Sequence, residues 1–244
     1  MFWQEPLFFN MQLFYIPSLA NSDSKAIFSK EESRHIYKVL RKKSGDAIQI
    51  TNGKGSLFSG VIETIGSHIC EVALDKVTQQ PSLPYKLHMA VAPTKMNDRF
   101  EWFLEKATEI GVTEITPILC DHSERKNIKL ERFQKIIIAA MKQSLRTTVP
   151  LLHPLSSIED FLLHHSPSNG FIAHCHQAPK KNFSTLIKPK SDTTLLIGPE
   201  GDFSKNEIEM AIANNYKPVT LGNMRLRTET AAIVGCHTIA LVNS

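Results

Sequence analysis

The chain has 244 residues, 42% of them hydrophobic and 21% charged, with 28 Lys and Arg against 24 Asp and Glu for a formal net charge of +4. That apolar fraction supports a hydrophobic core and excludes a disordered chain, and the length allows one large domain or two ordinary ones. The mild basicity is compatible with a nucleic-acid partner but does not demand one.

Cys70, Cys120, Cys175 and Cys236 stand far apart, with no Cys-x-x-Cys pair. This argues against a disulfide framework or a zinc knuckle and points to reduced thiols in a cytoplasmic setting. No apolar run approaches the ~18–20 residues of a membrane span. The start is apolar (Phe2, Trp3, Leu7, Phe8, Phe9), yet Glu5 and Pro6 interrupt it and no Lys or Arg precedes Lys25. A signal peptide is therefore not expected. Residues 1–10 read as an extension from an early start codon, and Met11 opens the strand-like Leu13-Phe14-Tyr15-Ile16.

In chain order, Ser29-Lys30-Glu31-Glu32 fits a capping box, and Ile36, Val39 and Leu40 continue at helical spacing. Ala47–Thr51, an Asn52-Gly53 turn, 57–65 and 69–77 then predict a strand-rich unit, a small barrel over residues 11–80. Gly53-Lys54-Gly55 hints at a dinucleotide fingerprint, but it joins two strands and reads as a hairpin. The proline-bearing stretch 78–84 is the best linker.

Beyond it the period changes. A strand at 87–92 precedes a helix at 97–110, with Phe100, Phe103, Leu104, Ala107 and Ile110 on one face and Gly111 as its stop. A strand at 114–119, helices at 129–145 and 157–165, and strands at 171–173 and 194–197 follow. A helix at 205–214, a strand at 218–221 and a helix at 229–242 complete the pattern. Strands alternating with helices predict an α/β domain over 81–244, with a mostly parallel sheet covered on both faces.

Two strands exit into glycine. Leu195-Leu196-Ile197 meets Gly198-Pro199-Glu200-Gly201, and Val219-Thr220-Leu221 meets Gly222, with Thr228 the expected N-cap of the last helix. In parallel sheets ligands sit beyond the carboxyl ends of strands, where glycines admit them to bare backbone. Ordinary tight turns would carry the same residues, and neither loop matches a pyrophosphate cradle. His174-Cys175-His176 invites a metal, but alternate residues at a strand end point to opposite faces, and no other Cys or His recurs at ligand spacing. No metal is expected. Basic residues gather at Arg34, Lys38, Arg41, Lys42 and Lys43, again from Arg125 and Lys126 to Lys135, and at Lys142 and Arg146. Each cluster alone reads as a solvated face; together they suit a phosphate backbone.

Taken jointly, several segments resemble one family. They are His35-Ile36-Tyr37-Lys38-Val39-Leu40-Arg41, the run from Glu105 to Val112 with Ile115-Thr116-Pro117, Ser123-Glu124-Arg125, Lys142-Gln143-Ser144 with Arg146 and Pro150, Leu196 to Gly201, and Leu221-Gly222 with Leu226 to Ala231. From Met11 onward, in order and spacing, the chain resembles the RsmE-type 16S rRNA (uracil-N3) methyltransferases of the SPOUT superfamily. The resemblance departs at Asp202, where family members often have glycine, and at Met224, where they often have an arginine that here stands one step later as Arg225.

The resemblance implies a PUA-like β-barrel, a SPOUT-type trefoil-knotted α/β domain that forms a homodimer, S-adenosylmethionine as methyl donor, and 16S rRNA in the small ribosomal subunit as substrate. It places the cofactor against Leu196, Gly198, Pro199, Glu200, Gly201, Leu221, Gly222 and Leu226. RNA contacts are expected from Arg34, Lys38, Arg41, Lys42, Arg125, Lys126, Arg146 and Arg225. Uracil N3 carries a proton and lies on the Watson–Crick edge, so the base must be unpaired and the proton must leave. Arg227 is the candidate for holding the resulting anion and Glu229 the candidate proton acceptor. Glu229 also fits the role of a first-turn acid favoured by the helix dipole, and Arg227 could simply pair with it. A SPOUT enzyme acting elsewhere on RNA, or a non-catalytic rRNA-binding assembly factor, would share these segments.

Overall fold

The computed structural model describes residues 12–244, which fall into two compact units, 12–82 with 141–149, and 83–140 with 150–244. The expected extension at 1–10, with Met11, lies outside the described residues.

The first unit contains β1 (Leu13–Tyr15), β2 (Lys25–Ile27), α1 (Lys30–Arg34), β3 (Ala47–Thr51), β4 (Ser56–Ile65) and β5 (Cys70–Gln79). They form one five-stranded sheet in the order β1-β3-β4-β5-β2, parallel only between β1 and β3. Register shifts at Ser59/Gly60 and Ile62/Thr64 add twist and curl it around Phe14, Phe28, Ile36, Ile50 and Phe58. Among the described residues β1 and β2 do not pair, so the sheet is a curled half-barrel rather than a closed one. β3 and β4 form the expected hairpin, with the Asn52 side chain accepting from the N–H of Lys54.

Two local expectations change. Ser29 caps α1 by accepting from the Glu32 N–H, but the helix then widens into a π-turn over His35–Val39, where the Leu40 N–H reaches back to the His35 carbonyl. The wider turn breaks the 3.6-residue spacing, so Ile36 is buried while Val39 is 65% exposed. β5 also runs through Thr78 and Gln79, so the linker starts later than its composition suggests. Segment 141–149 clasps the hairpin turn: the Thr147 carbonyl accepts from Thr51 Oγ1 and the Gly55 N–H, and the Val149 N–H donates to the Gly53 carbonyl.

The second unit contains β6 (Leu87–Val91), α2 (Asn97–Ile110), β7 (Glu114–Leu119), α3 (Leu130–Gln143, its end counted with the first unit), β8 (Leu151–Leu152) and β9 (Ser156–Ser157). It continues through α4 (Ile158–His164), β10 (Gly170–Ala173), β11 (Lys181–Asn182), β12 (Thr193–Ile197), α5 (Lys205–Ala213), β13 (Tyr216–Thr220) and α6 (Thr228–Val242). The sheet order is β11-β13-β10-β12-β6-β7-β8, with β9 beside β7, and every pairing is parallel. No residue of β6 or β12 is exposed, because both faces are covered. Ala90, Ile172 and Leu196 pack with Ile158 and Phe161 of α4 and Ile208 of α5. On the opposite face Leu195 and Met89 meet α6 at Gly235, where a Cβ would collide with the Leu195 side chain. The α/β class and the parallel sheet are as the sequence predicts.

Candidate functional site

β13, β10 and β12 lie side by side and run the same way, so their carboxyl ends deliver three loops to one place. These exits, together with Leu226, Thr228 and Ala231, line a cavity of ≈ 890 Å³. Its floor and walls are apolar at Ile197, Val219, Leu221 and Leu226. Such a size and lining suit a small-molecule ligand. Gly222 has φ +139° and nothing within 4 Å of where a Cβ would sit, so its backbone faces open space.

Thr228 does not cap α6 as expected. Arg227 occupies the N-cap without a side-chain bond, and Thr228, the first helical residue, donates through Oγ1 to the Gly198 carbonyl at 3.1 Å. That bond joins two of the loops across the cavity rim. At α5 the expected capping box is complete, with Ser204 and Glu207 satisfying each other's backbone, and Glu207 also accepts from the Asp121 N–H.

Of the predicted cofactor residues, Gly198, Pro199, Glu200, Leu221, Gly222 and Leu226 line the cavity, while Leu196 and Gly201 hold the loops around it. Leu196 is wholly buried toward α4 and α5, and Ile197 takes the cavity position. Gly201 packs under His122, where a Cβ would lie 2.8 Å from His122 Cβ. Gly198 faces the cavity with its backbone, but a Cβ there would meet Phe203, whose ring and N–H lie 3.0–3.2 Å from that position. Glu200 Oε1 accepts from the Lys95 N–H, and Arg125 donates to the carbonyls of Thr94 and Lys95. Arg125 therefore clamps the loop after β6, which occupies the guanidinium the sequence assigned to phosphate. Asp202 has φ +66°, a left-handed conformation that Asp tolerates better than most residues. Its carboxylate accepts from the N–H of Cys175 at 2.7 Å and of Phe203 at 2.9 Å, tying the β10 exit to the β12 exit.

Arg225 and Arg227 are exposed at the cavity rim and make no side-chain ion pair or hydrogen bond among the described residues. They also border an adjoining depression of ≈ 700 Å³ that includes Glu229 and Trp102. Glu229 is buried, and its partner is Arg99, with Nε 3.9 Å from Oε1, so the expected alternative of a pair with Arg227 does not form. Arg99, which lines both cavities, was not singled out from sequence. A cation in the first turn of α2 opposes the helix dipole, and that was the available signal.

His174 and His176 leave the strand before they can alternate. β10 ends at Ala173, and the two rings lie 5.9 Å apart, both bordering the cavity. His176 Nε2 is 2.8 Å from the Phe203 carbonyl, whereas neither ring nitrogen of buried His174 has a partner among the described residues. Burial, then Lys180, pushes His174 from its ordinary 6.5 to about 4, so the ring is neutral near pH 7. Among the described residues one group does stand at metal-ligand spacing, and from three separate segments: His88, Glu114 and His153. Burial, then His165, His153 and Lys86, lowers His88 to about 3.

In the first unit Arg34, Lys38 and Arg41 are exposed beside Tyr37, with Arg41 held at φ +54°. Lys42 turns its Nζ to the Ala47 carbonyl at 3.4 Å. Lys126 is exposed, and Arg146 is half-buried. None of the four cysteines forms a disulfide, and no helix among the described residues is long and apolar enough to cross a membrane.

Against known proteins, residues 81–240 match the family described as RNA methyltransferase domain, and residues 28–75 match the RNA methyltransferase PUA domain. The chain is 31% identical over 236 residues to the ribosomal RNA small subunit methyltransferase E of Rickettsia conorii, covering 94% of this chain and 95% of that protein. A crystal structure of a probable rRNA methyltransferase from Porphyromonas gingivalis superposes with TM-score 0.88 at 37% identity, over 96% of this chain and 98% of that one. The ribosomal RNA small subunit methyltransferase E of Neisseria gonorrhoeae, solved bound to S-adenosyl methionine, superposes with TM-score 0.86 at 27% identity, over the same shares.

Proposed function

The chain belongs to the ribosomal RNA small subunit methyltransferase E family of RNA methyltransferases, and on that premise we propose that it methylates N3 of one specific uridine in 16S rRNA, using S-adenosylmethionine as methyl donor. The observation that carries this reading is the ≈ 890 Å³ cavity at three adjoining strand exits, with two unpaired arginines at its rim.

The residues present fit that donor. The apolar side chains of Ile197, Leu221 and Leu226 suit a purine, the open backbone of Gly222 offers hydrogen-bonding groups, and the orphaned nitrogens of His174 await a polar partner. Gly198, Pro199, Leu221, Gly222 and Leu226 would hold it. When bound, it supplies a methyl group already activated on a positive sulfur.

The chain's own work is alignment and the handling of one proton. Alignment alone is able to contribute up to ~7–11 kcal/mol. Arg227 presents a planar fork toward the carbonyl oxygens beside N3 and stabilises the anion left when the proton departs. Glu229 accepts that proton at its carboxylate, and Arg99, 3.9 Å away, orients it. Arg225, Lys126 and the exposed Arg34, Lys38 and Arg41 of the first unit contact phosphate. Exposed Trp102 and Leu241 on α2 and α6 support a two-fold dimer through the second unit. The family's trefoil knot in that unit and a cytoplasmic location belong to the same proposal.

Mass-spectrometric mapping of nucleosides in small-subunit rRNA, with and without this gene, tests the reading. The expected result is loss of one N3-methyluridine. Loss of a different modified nucleoside, or no change, would reject it.

A further inference from the structure

His88 is the second residue of β6 and Glu114 the first of β7, and the two are register partners in the parallel sheet. Their side chains therefore stand side by side on one face. His153 follows β8 directly, and its N–H donates to the Ile115 carbonyl at 2.9 Å, which carries a third side chain to the same spot. Glu114 Oε2 lies 3.3 Å from His153 Nε2 and 3.9 Å from His88 Nδ1, and all three donor atoms fall within 4.8 Å of one another. Donors on a tetrahedral zinc ion, each ~2.0–2.1 Å away, stand about 3.3 Å apart. One of the observed separations already matches, and closing the rest takes small side-chain rotations.

A second observation points to a cation. The His88 side chain is 6% exposed, and its Nδ1 has no hydrogen-bond partner among the described residues. Its other nitrogen, Nε2, sits 2.8 Å from Thr116 Oγ1. With that N–H given to Thr116, Nδ1 carries a lone pair aimed at a carboxylate oxygen, so two acceptors face each other beside a buried ring. Lys86 Nζ, 3.6 Å from Oε1, serves the other oxygen of Glu114. His165 is a wall of the pocket: its Nε2 is 3.0 Å from Thr194 Oγ1, and its ring meets His88 edge-on at 4.7 Å. A cation bound by Nδ1, Oε2 and the His153 nitrogen satisfies every donor atom that the fold leaves facing inward.

We infer that His88, Glu114 and His153 form a divalent-cation site of the zinc class at the amino end of the parallel sheet. Two imidazoles and one carboxylate are borderline donors, which favour Zn²⁺ over Mg²⁺ or Ca²⁺. Half-exposed His153 gives the ion a way in and leaves room for water as a fourth ligand. The Thr116 hydroxyl holds the His88 ring, as outer hydrogen bonds do for metal-bound histidines. The site lies at the opposite end of the strands from the methyl-transfer cavity, so the ion pins β6, β7 and the end of β8 together and takes no part in the reaction.

The test uses the full, untagged chain after chelator treatment and dialysis, titrated calorimetrically with zinc chloride. One Zn²⁺ per chain is expected, with a rise in the thermal midpoint on binding. His153→Ala and Glu114→Gln should each weaken that binding by about 100-fold or more, beyond the effect of losing an outer hydrogen bond. Both should keep wild-type affinity for S-adenosylmethionine, which certifies their fold. Cobalt chloride on the same proteins should give visible bands of a four-coordinate site in wild type only. No stoichiometric zinc in wild type, or equal zinc binding by folded variants through surface histidines, overturns the assignment.

Discussion

At the carboxyl ends of β10, β12 and β13 the parallel sheet opens into a cavity with bare backbone and unpaired arginines. At the amino ends of β6 and β7 it closes over a compact knot of His88, Glu114, His153 and His165. One parallel sheet builds both ends through different strands, yet the first end is made of contiguous loops and the second of single residues from distant segments. The first is open and rimmed by arginines; the second is small and dense in nitrogen donors. Reactivity follows loops, whereas cross-bracing follows register.

The sharpest way to break this contrast is at Arg227. Arg227→Lys keeps the charge but loses the fork, and methyl transfer should fall ~10²-fold or more while cofactor affinity stays level. Single-turnover rates on small subunits, beside calorimetry, measure both, and His153→Ala at the opposite end should leave transfer unchanged. Gly198→Val comes next. Its side chain would press on Phe203 before reaching the cavity, so the loss should appear as about 1–3 kcal/mol of stability in denaturant titration. A variant with unchanged stability and abolished cofactor binding would instead mean that the new side chain turns into the cavity that Gly198 lines.

Glu229→Gln should slow transfer ~10²-fold at neutral pH, the low end of the range for a lost general base. The deficit should shrink as pH rises and N3 ionises unaided. Turnover like wild type at every pH would leave Glu229 as a buried first-turn acid paired with Arg99.

His174 gives a pH effect on folding. Its folded pKa, about 4, lies below its ordinary 6.5, so the unfolded chain binds the extra proton between those values. Its contribution to stability is thus full above pH 6.5 and is lost as pH falls toward 4. His174→Asn should flatten the stability profile in that window. The smallest effect is in the first unit: Lys38→Ala and Arg41→Ala should each lower the log–log salt slope of RNA binding by roughly 0.7–0.9. An unchanged slope would make α1 and its π-turn a solvated face.

Much of the second unit was legible because its signals are local. β7 at 114–119 and α2 at 97–110 follow from period and from Gly111, and α5 from the Ser204–Glu207 box. The cavity was legible because its loops are contiguous motifs at strand ends. Non-local matters were not. The π-turn that exposes Val39 arises from a single extra residue in a turn, which a 3.6-residue template cannot express. Segment 141–149 belongs with the first unit through backbone bonds to Gly53 and Gly55, and backbone bonding across such a distance leaves no mark in composition. The Thr228 hydroxyl looked like a cap because it opens a helix, yet the Gly198 carbonyl lies closer to its reach. His88, Glu114 and His153 meet only through strand register, which residue spacing within one segment does not encode.

The most direct test of the central claim is methyl transfer by the purified chain to small subunits taken from cells lacking this gene, with the modified nucleoside mapped by mass spectrometry. The account predicts one N3-methyluridine per 16S rRNA, formed by wild type and by His153→Ala but reduced ~10²-fold in Arg227→Lys. Equal transfer by Arg227→Lys, or a loss confined to His153→Ala, would contradict the assignment of the chemistry to the carboxyl end of the sheet.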